Sequence, residues 1–274
     1  MPELPEVETV KRSLAEKLIG EKIVEIDIYY SGNIREPEPE LLREMLRGNT
    51  FQKINRRGKY LIFSLSGDLA LVVHLRMTGQ LLYVEPTLPV DKHTHLVFSL
   101  SGGQELRYVD LRKFGTFDLV PQGELKFHKG LSILGMEPLS PEFTVEWLAE
   151  QLHQKNRSIK NVLLDQTIIA GIGNIYADEI LFEARIHPET IAGELNQEQI
   201  TVLQQAVVKM LNLGITHRGT SIRNYVDGDG RQGGFQELLR VYGRKGNACE
   251  LCGQPIAKTK VQGRGTYFCP YCQQ

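Results

Sequence analysis

Two hydrophobic rhythms alternate along the chain. Val7, Val10, Leu14 and Leu18 recur at three- and four-residue steps with charges between them. That spacing predicts an amphipathic helix, and Pro5 suits its first turn. The period then drops to two. In KIVEIDIY, Val24, Ile26 and Ile28 share one face while Glu25 and Asp27 take the other. YLIFSLS, LALVVHL, HLVFSLS and ELRYVDL continue the strand-like runs, with SGD and SGGQ as turn signals between them. Residues 22–120 therefore predict a β-sandwich or barrel. GLSILGMEPLSPEF keeps neither rhythm and is rich in Gly and Pro, as a linker is. Helical spacing returns in TVEWLAEQLHQ, SIKNVLLDQ, IYADEILFEA and NQEQITVLQQAVVKMLNLG. The last segment goes back to strand and turn around four cysteines. The fold class that follows is α+β and multidomain. The expected divisions are a β-sandwich or barrel domain with an N-terminal helix at 1–128, a linker at 129–142, a helical domain at 143–235 and a finger at 236–274.

Composition changes this picture little, but charge distribution does. The 274 residues carry a formal net charge of −1. From Leu211 onward, however, nine basic residues (Arg218, Arg223, Arg231, Arg240, Arg244, Lys245, Lys258, Lys260 and Arg264) face four acids (Asp227, Asp229, Glu237 and Glu250), a local excess of 9 − 4 = +5. A basic segment hidden in a neutral chain leaves a nucleic-acid partner open. No stretch has the apolar length to span a bilayer, and the acidic start is unlike a secretory signal. A cytoplasmic location is the expectation.

All four cysteines fall in CELC and CPYC, giving C-x2-C-x16-C-x2-C from Cys249 and Cys252 to Cys269 and Cys272. In a chain otherwise free of cysteine this spacing predicts one four-thiolate zinc site rather than disulfides. Four protein ligands leave no position open for water, so the metal is structural. Between the knuckles, KTKVQGRGTYF reads as a basic hairpin carrying Lys258, Lys260 and Arg264, suited to phosphate.

The opening PELPEVET supports two readings. Pro5, Glu3 and Glu6 suit a helix start and its dipole. Equally, removal of Met1 would leave Pro2 with a free secondary amine. An α-amino group titrates near 7.7–8.0, far below lysine's roughly 10.4. Such an amine condenses with a sugar aldehyde carbon to a cationic iminium, which acidifies the adjacent carbon and invites elimination. Glu3 and Glu6 are placed to move protons.

PELPEVET, RRGKYL, HLRMTG, DLRKFGT, LLDQ…GIGNIYADE and the cysteine ribbon together resemble the bacterial formamidopyrimidine-DNA glycosylase family, in order from Pro2 to Gln274. The resemblance implies a bifunctional base-excision enzyme acting on oxidised purines such as 8-oxoguanine and formamidopyrimidines. It also implies an N-terminal β-sandwich, a helix-two-turns-helix motif, duplex DNA held between domains, and a monomer. On the matching positions, Pro2 resembles the Schiff-base nucleophile, Glu3 its acid/base and Glu6 a second active-site acid. Lys59 resembles a lysine of β-elimination, and Arg264 the finger arginine of δ-elimination and phosphate contact. Met77, Arg112 and Phe114 match three residues that fill the void left by a flipped base. His74, His93, Arg157, Lys160, Asn174, Tyr242 and Lys258 match further DNA contacts. Asn174 also suits a helix start, where backbone donors receive phosphate.

Two departures stand out. Thr78 replaces an acid found in some relatives, and DGDG is unusual in the loop 219–235, which resembles a base-capping loop. By residues alone, an endonuclease VIII-like enzyme for oxidised pyrimidines and a non-catalytic DNA-binding paralogue compete. The first usually begins PEGP and lacks the Met-Arg-Phe pattern. Intact Pro2, Glu3 and Lys59 speak against the second.

Overall fold

The computed structural model describes residues 1–222 and 224–274; Arg223, one of the basic residues of the tail, lies outside them. The chain divides into two compact units, Met1–Ser132 with His217–Gly234, and Ile133–Thr216 with Phe235–Gln274.

The first unit begins with α1 (Leu4–Leu18), capped at Glu3 with Pro5 in its first turn. Its apolar stripe, Leu4 through Leu18 at helical spacing, is buried. Nine strands follow: β1 (Ile23–Ile28), β2 (Ile34–Glu36), then after a short helix α2 (Pro39–Leu46), β3 (Phe51–Arg57), β4 (Tyr60–Leu65), β5 (Leu69–His74), β6 (Gly79–Val84), β7 (Thr94–Leu100), β8 (Glu105–Asp110) and β9 (Thr116–Pro121). They form two sheets in the orders β1-β7-β8-β6 and β2-β9-β5-β4-β3. All pairs are antiparallel except β2–β9. Both sheets and α1 feed one core, where Leu96, Phe98 and Tyr108 meet Phe63, Val73 and Phe117 over Val10 and Leu14. The Tyr108 and Phe117 rings lie 4.7 Å apart, edge to face, across the sheets. This is a sandwich, and each fully buried large side chain contributes about 1.5–3 kcal/mol.

Two local expectations are corrected. A bulge between Ile23 and Glu25 shifts the face of β1, so Ile23 and Ile26 enter the core and Val24 faces solvent. The stretch 22–120, read as all β, also contains α2, whose Leu42 and Leu46 are buried.

The first unit closes its helical content with the single turn α3 (Lys129–Ser132). The second unit holds α4 (Val145–Leu152), α5 (Ile159–Leu164), α6 (Asn174–Glu183) and α7 (Gln197–Thr216). Its hairpin joins β10 (Ala257–Val261) to β11 (Arg264–Phe268). α6 is buried on most of its circumference, taking Asp178 and Glu179 inside with Tyr176, Ile180 and Phe182. Gly214 of α7 lets the Tyr176 ring approach, since a Cβ there would stand 2.5 Å from its Oη. No helix among the described residues is long and apolar enough to cross a membrane.

Candidate functional site

In the first unit the opening motif is both a helix cap and a junction. Met1 is exposed, whereas Pro2, Glu3 and Glu6 are buried. Glu6 Oε2 accepts the Glu3 N–H at 2.8 Å, the reciprocal bond of a capping box. Its Oε1 accepts the Thr220 N–H at 2.7 Å. Tyr225 Oη donates to the Glu6 carbonyl at 3.2 Å. Glu6 therefore pins segment 217–234 to the terminus. Gly219 makes the approach possible: it sits at φ +79°, and a Cβ there would lie 2.8 Å from the Glu6 side chain.

DGDG in the same segment is a folded turn. Asp227 is fully buried, accepts the Asp229 and Arg231 N–H groups at 2.9 and 3.0 Å, and pairs with Arg218. Gly228 rests on Ser13, whose Oγ accepts its N–H at 3.0 Å.

Lys59 follows Gly58 (φ +53°) in the β3–β4 turn and is buried. α1 packs on β3 and β4, and Arg56 Nε meets Glu8 Oε2 at 3.0 Å. The register Tyr60↔His74 brings this turn beside His74. His74 is held neutral: burial first, then the charges of Arg76, Lys59 and Arg35, push its pKa down to about 3. Its Nδ1 accepts the Arg76 N–H at 2.9 Å.

Met77 and Phe114 are 41% and 52% exposed, unusual for residues of their type. They come from different turns, β5–β6 and β8–β9, yet stand together around Arg112. Arg112 Nη1 lies 2.8 Å from the Met77 sulfur, and its guanidinium lies 4.6 Å from the Phe114 ring centroid. β5 ends at His74, and Arg76 at φ +52° turns the chain, leaving Leu75 buried and Met77 out.

Both turns are fixed by Asp110, which the sequence reading did not single out. This carboxylate is fully buried at the end of β8. Oδ2 accepts from Tyr108 Oη (2.8 Å), Phe114 N–H (2.9 Å) and Gly115 N–H (3.0 Å). Oδ1 accepts from the Thr78 hydroxyl and from Arg112 N–H (3.1 Å). Burial pushes its pKa up, but these donors outweigh it and hold the group below the usual carboxylate range. Thr78 is thus a strut between the turns. Gly115 is obligatory, since a Cβ would fall 1.8 Å from Tyr108 Oη. His93 is half-buried beside them, its carbonyl accepting the Asp110 N–H at 2.9 Å.

In the second unit Lys160, matched to a DNA contact by the resemblance, is enclosed by protein groups. It is 0% exposed, with Nζ 2.6 Å from Asp178 Oδ1 and 2.7 Å from Thr266 Oγ1. Burial, outweighing Lys160, raises the Asp178 pKa to about 7. Lys160 Nζ also donates to the Gly265 carbonyl (3.2 Å), and so does Asn174 Nδ2 (2.9 Å). Two side chains thereby grip the residue next to Arg264, which is exposed at the hairpin tip. Asp178 Oδ2 adds a bond from the Tyr267 N–H at 2.9 Å. Arg157 is half-buried and paired with Asp165 at 2.7 Å. Tyr242 and Lys258 flank the Tyr267 ring at 5.2 and 5.0 Å. Glu179, also missed, accepts the N–H groups of Arg240, Val241 and Tyr242 at 3.0, 3.0 and 2.8 Å. The signal for both acids was two carboxylates inside the apolar run IYADEILF.

The four cysteine sulfurs lie within 4.8 Å of one another, with Cys249–Cys272 at 3.9 Å and Cys252–Cys269 at 3.5 Å. Disulfide sulfurs sit about 2.05 Å apart. Around a tetrahedral zinc with about 2.3 Å bonds, sulfurs sit about 3.8 Å apart. The donor set fits one structural zinc ion.

Known proteins match the chain along its length. Residues 1–117 match the formamidopyrimidine-DNA glycosylase N-terminal domain, 134–226 its H2TH domain, and 246–274 a zinc finger found in FPG and IleRS. Formamidopyrimidine-DNA glycosylase of Moorella thermoacetica is 52% identical, with 95% of each chain covered. That of Ligilactobacillus salivarius is 49% identical over 100% of this chain and 99% of its own. Among solved structures, a Lactococcus lactis FPG mutant in complex with a Fapy-dG containing DNA superposes with a TM-score of 0.94, at 41% identity and full coverage of both chains. The L. lactis Fpg complex with an abasic site containing DNA gives 0.92 at 41%, covering 99% of each. Three family domains in sequence, near-complete coverage by relatives at about half identity and a shared fold agree with the site geometry: this chain belongs to the formamidopyrimidine-DNA glycosylase family.

Proposed function

We propose that the chain excises oxidised purines from duplex DNA and then cuts the abasic strand through an amine on Pro2. The observation that carries this reading is the Met77–Arg112–Phe114 cluster. A thioether and a phenyl ring are exposed together around a guanidinium, and a fully buried carboxylate holds them there. Folding alone gives no reason to expose them. A wedge that fills the gap left by an extruded base does, because extrusion costs a few kcal/mol that inserted apolar groups offset. The Arg112 guanidinium supplies donors for the unpaired partner base.

With Met1 removed, the Pro2 nitrogen attacks C1′ of the extruded nucleotide. A bond forms between N and C1′, and the glycosidic bond breaks as the base leaves with a proton. Glu3, adjacent to the amine, protonates the sugar ring oxygen as the ring opens to the iminium. Loss of a C2′ proton then expels the 3′ phosphate, and a second elimination expels the 5′ phosphate. Lys59, buried beside the neutral His74, serves the first elimination. Arg264, at the tip that Lys160 and Asn174 grip, serves the second by holding phosphate. Glu6 is a positioning residue, since both its oxygens already accept backbone N–H groups. Lys160 is likewise a positioning residue, acting through Gly265. His74, His93, Arg157, Asn174, Tyr242 and Lys258 contact the DNA backbone in this reading. The zinc ion shapes the hairpin and takes no part in the chemistry. The enzyme acts as a monomer, in the bacterial cytoplasm with the nucleoid.

The test is strand cleavage of a duplex holding 8-oxoguanine opposite cytosine. The wild-type chain should release the base and leave phosphate at both ends of the gap. Pro2→Gly should lose more than 100-fold in base release, and Arg264→Gln should accumulate the product of the first elimination alone. Equal cleavage by Pro2→Gly and wild type would refute the reading.

A further inference from the structure

Three rings stand in a row on the five-stranded sheet. The His128 and Tyr60 centroids lie 6.1 Å apart, and those of Tyr60 and His74 lie 4.5 Å apart, both pairs edge to face at 77° and 85°. We propose that His128 and Asp118 are positioning residues for the first elimination, acting through Tyr60 on His74 and on the Lys59 turn. This rests on the lyase reading above and extends it to two residues with no role there.

Strand register builds the row. Tyr60 pairs with His74, and Val72 with Asp118. Their neighbours Leu61, Val73 and Phe117 enter the core, so Tyr60, His74 and Asp118 share the opposite face of the sheet. His128 clasps that face. Its Nε2 lies 3.4 Å from Asp118 Oδ2, with both side chains 8% exposed. Among the described residues nothing else hydrogen-bonds to that oxygen. The Nδ1 atom accepts the Gly130 and Leu131 N–H groups at 3.2 and 3.3 Å, which leaves the ring proton on Nε2, facing the carboxylate. One ring thus ties β9 to the backbone of α3. Gly130 completes the fit, since a Cβ there would stand 2.4 Å from Tyr60 Oη. Tyr60 is confined between α3 and His74.

Packing alone does not call for this pair. Burial raises the Asp118 pKa against the lowering charges of His128 and Arg35. An apolar pair of similar size would avoid that desolvation but would fix no direction. At the far end of the row lies the chemistry. His74 stays unprotonated because it is buried and because Arg76, Lys59 and Arg35 bring positive charge to it. Lys59 is therefore within electrostatic reach of this ring. A loosened Tyr60 would let water reach His74, which then takes a proton. A second positive charge beside Lys59 shifts the proton equilibrium of the lysine that the elimination uses.

The experiment compares wild type, Asp118→Asn, His128→Phe, the double variant and His128→Gln on an abasic duplex, in single turnover at saturating enzyme. Asp118→Asn and His128→Phe should each slow strand nicking about five- to ten-fold, with duplex affinity and melting temperature unchanged. The double variant should be no slower than either single one, because both break one clasp. His128→Gln, whose amide still donates to Asp118, should stay within about two-fold of wild type. NMR of the free protein gives a readout independent of activity. The His74 imidazole, which faces Arg35, Lys59, Tyr60 and Arg76, should not titrate in the neutral range in wild type. In Asp118→Asn and His128→Phe its pKa should climb from about 3 towards 6.5.

Unchanged nicking, or nicking that falls only in step with affinity and melting temperature, would overturn the proposal, and so would an unmoved His74. Borohydride trapping of wild type on the same duplex separates the two failures. Trapping with unchanged variants rejects the clasp alone, while no trapping and no nicking rejects the lyase reading and the role of the clasp with it.

Discussion

Asp110 and Asp178 are both fully buried carboxylates at the root of a functional loop, and they are kept in opposite ways. Asp110 has no cation partner. It is surrounded by two hydroxyls and three backbone N–H groups, and it stays ionised with a lowered pKa. Asp178 has Lys160 at 2.6 Å, yet burial raises its pKa to about 7. A cation alone does not compensate for desolvation in a dry site, whereas a full shell of oriented donors does. The architecture follows from the difference. Asp110 fixes two turns so that exposed side chains converge. Asp178 and Lys160 join a zinc-held hairpin to two helices.

The largest expected effect separates the units themselves. Chelating the zinc should unfold the ribbon, because structural zinc sites bind with about 10–16 kcal/mol in isolated fingers. Amide spectra should then lose dispersion for 245–274, with Arg264 no longer held, while the sandwich strands of the first unit keep theirs. Next, Asp110→Ala should destabilise the first unit by about 3 kcal/mol or more, since up to five donors lose their acceptor. Calorimetry would measure this, and excision should fall with the splayed wedge. Gly115→Ala should fail similarly and recover in part with Tyr108→Phe, which removes the oxygen it strikes.

Lys160→Met should cost about 3–5 kcal/mol in the second unit by breaking a buried pair, while replacing both Lys160 and Asp178 with apolar residues should be far milder. Hydrogen exchange in β11 reads this directly. Smaller still are opposite pH slopes. The Asp178 pKa is raised from 3.8 to about 7, so its contribution is full below pH 3.8 and is lost as pH rises towards 7. The Asp110 pKa is lowered, so its contribution is present above pH 3.8 and is lost as pH falls further. Asp178→Asn should flatten the first slope and Asp110→Asn the second, in stability measured by amide exchange within each unit.

Sequence periodicity was sufficient for the run of strands, the four helical segments of the second unit and the cysteine cluster, because each rests on spacing alone, whereas the choice of sandwich over barrel came from the resemblance. Periodicity failed where a bulge shifted β1, and where the short helix α2 sat among strands. The side chains of the site were legible as motifs, but their support was not. Nothing in DLRKFG says that its aspartate gathers donors from a turn more than thirty residues away. Lys160 read only as a match to a DNA contact, because a helix position does not reveal that Asp178 and Thr266 close over it. Buried polar residues are placed by tertiary partners, which a one-dimensional pattern does not contain.

The most direct measurement is borohydride trapping. Purified protein with a native N-terminus is mixed with a duplex holding 8-oxoguanine opposite cytosine, the reductant is added, and the adduct is mapped by mass spectrometry. The account predicts a covalent adduct on a peptide that begins at Pro2. Met1 confirmed absent, with no adduct on either this duplex or abasic DNA, would contradict it.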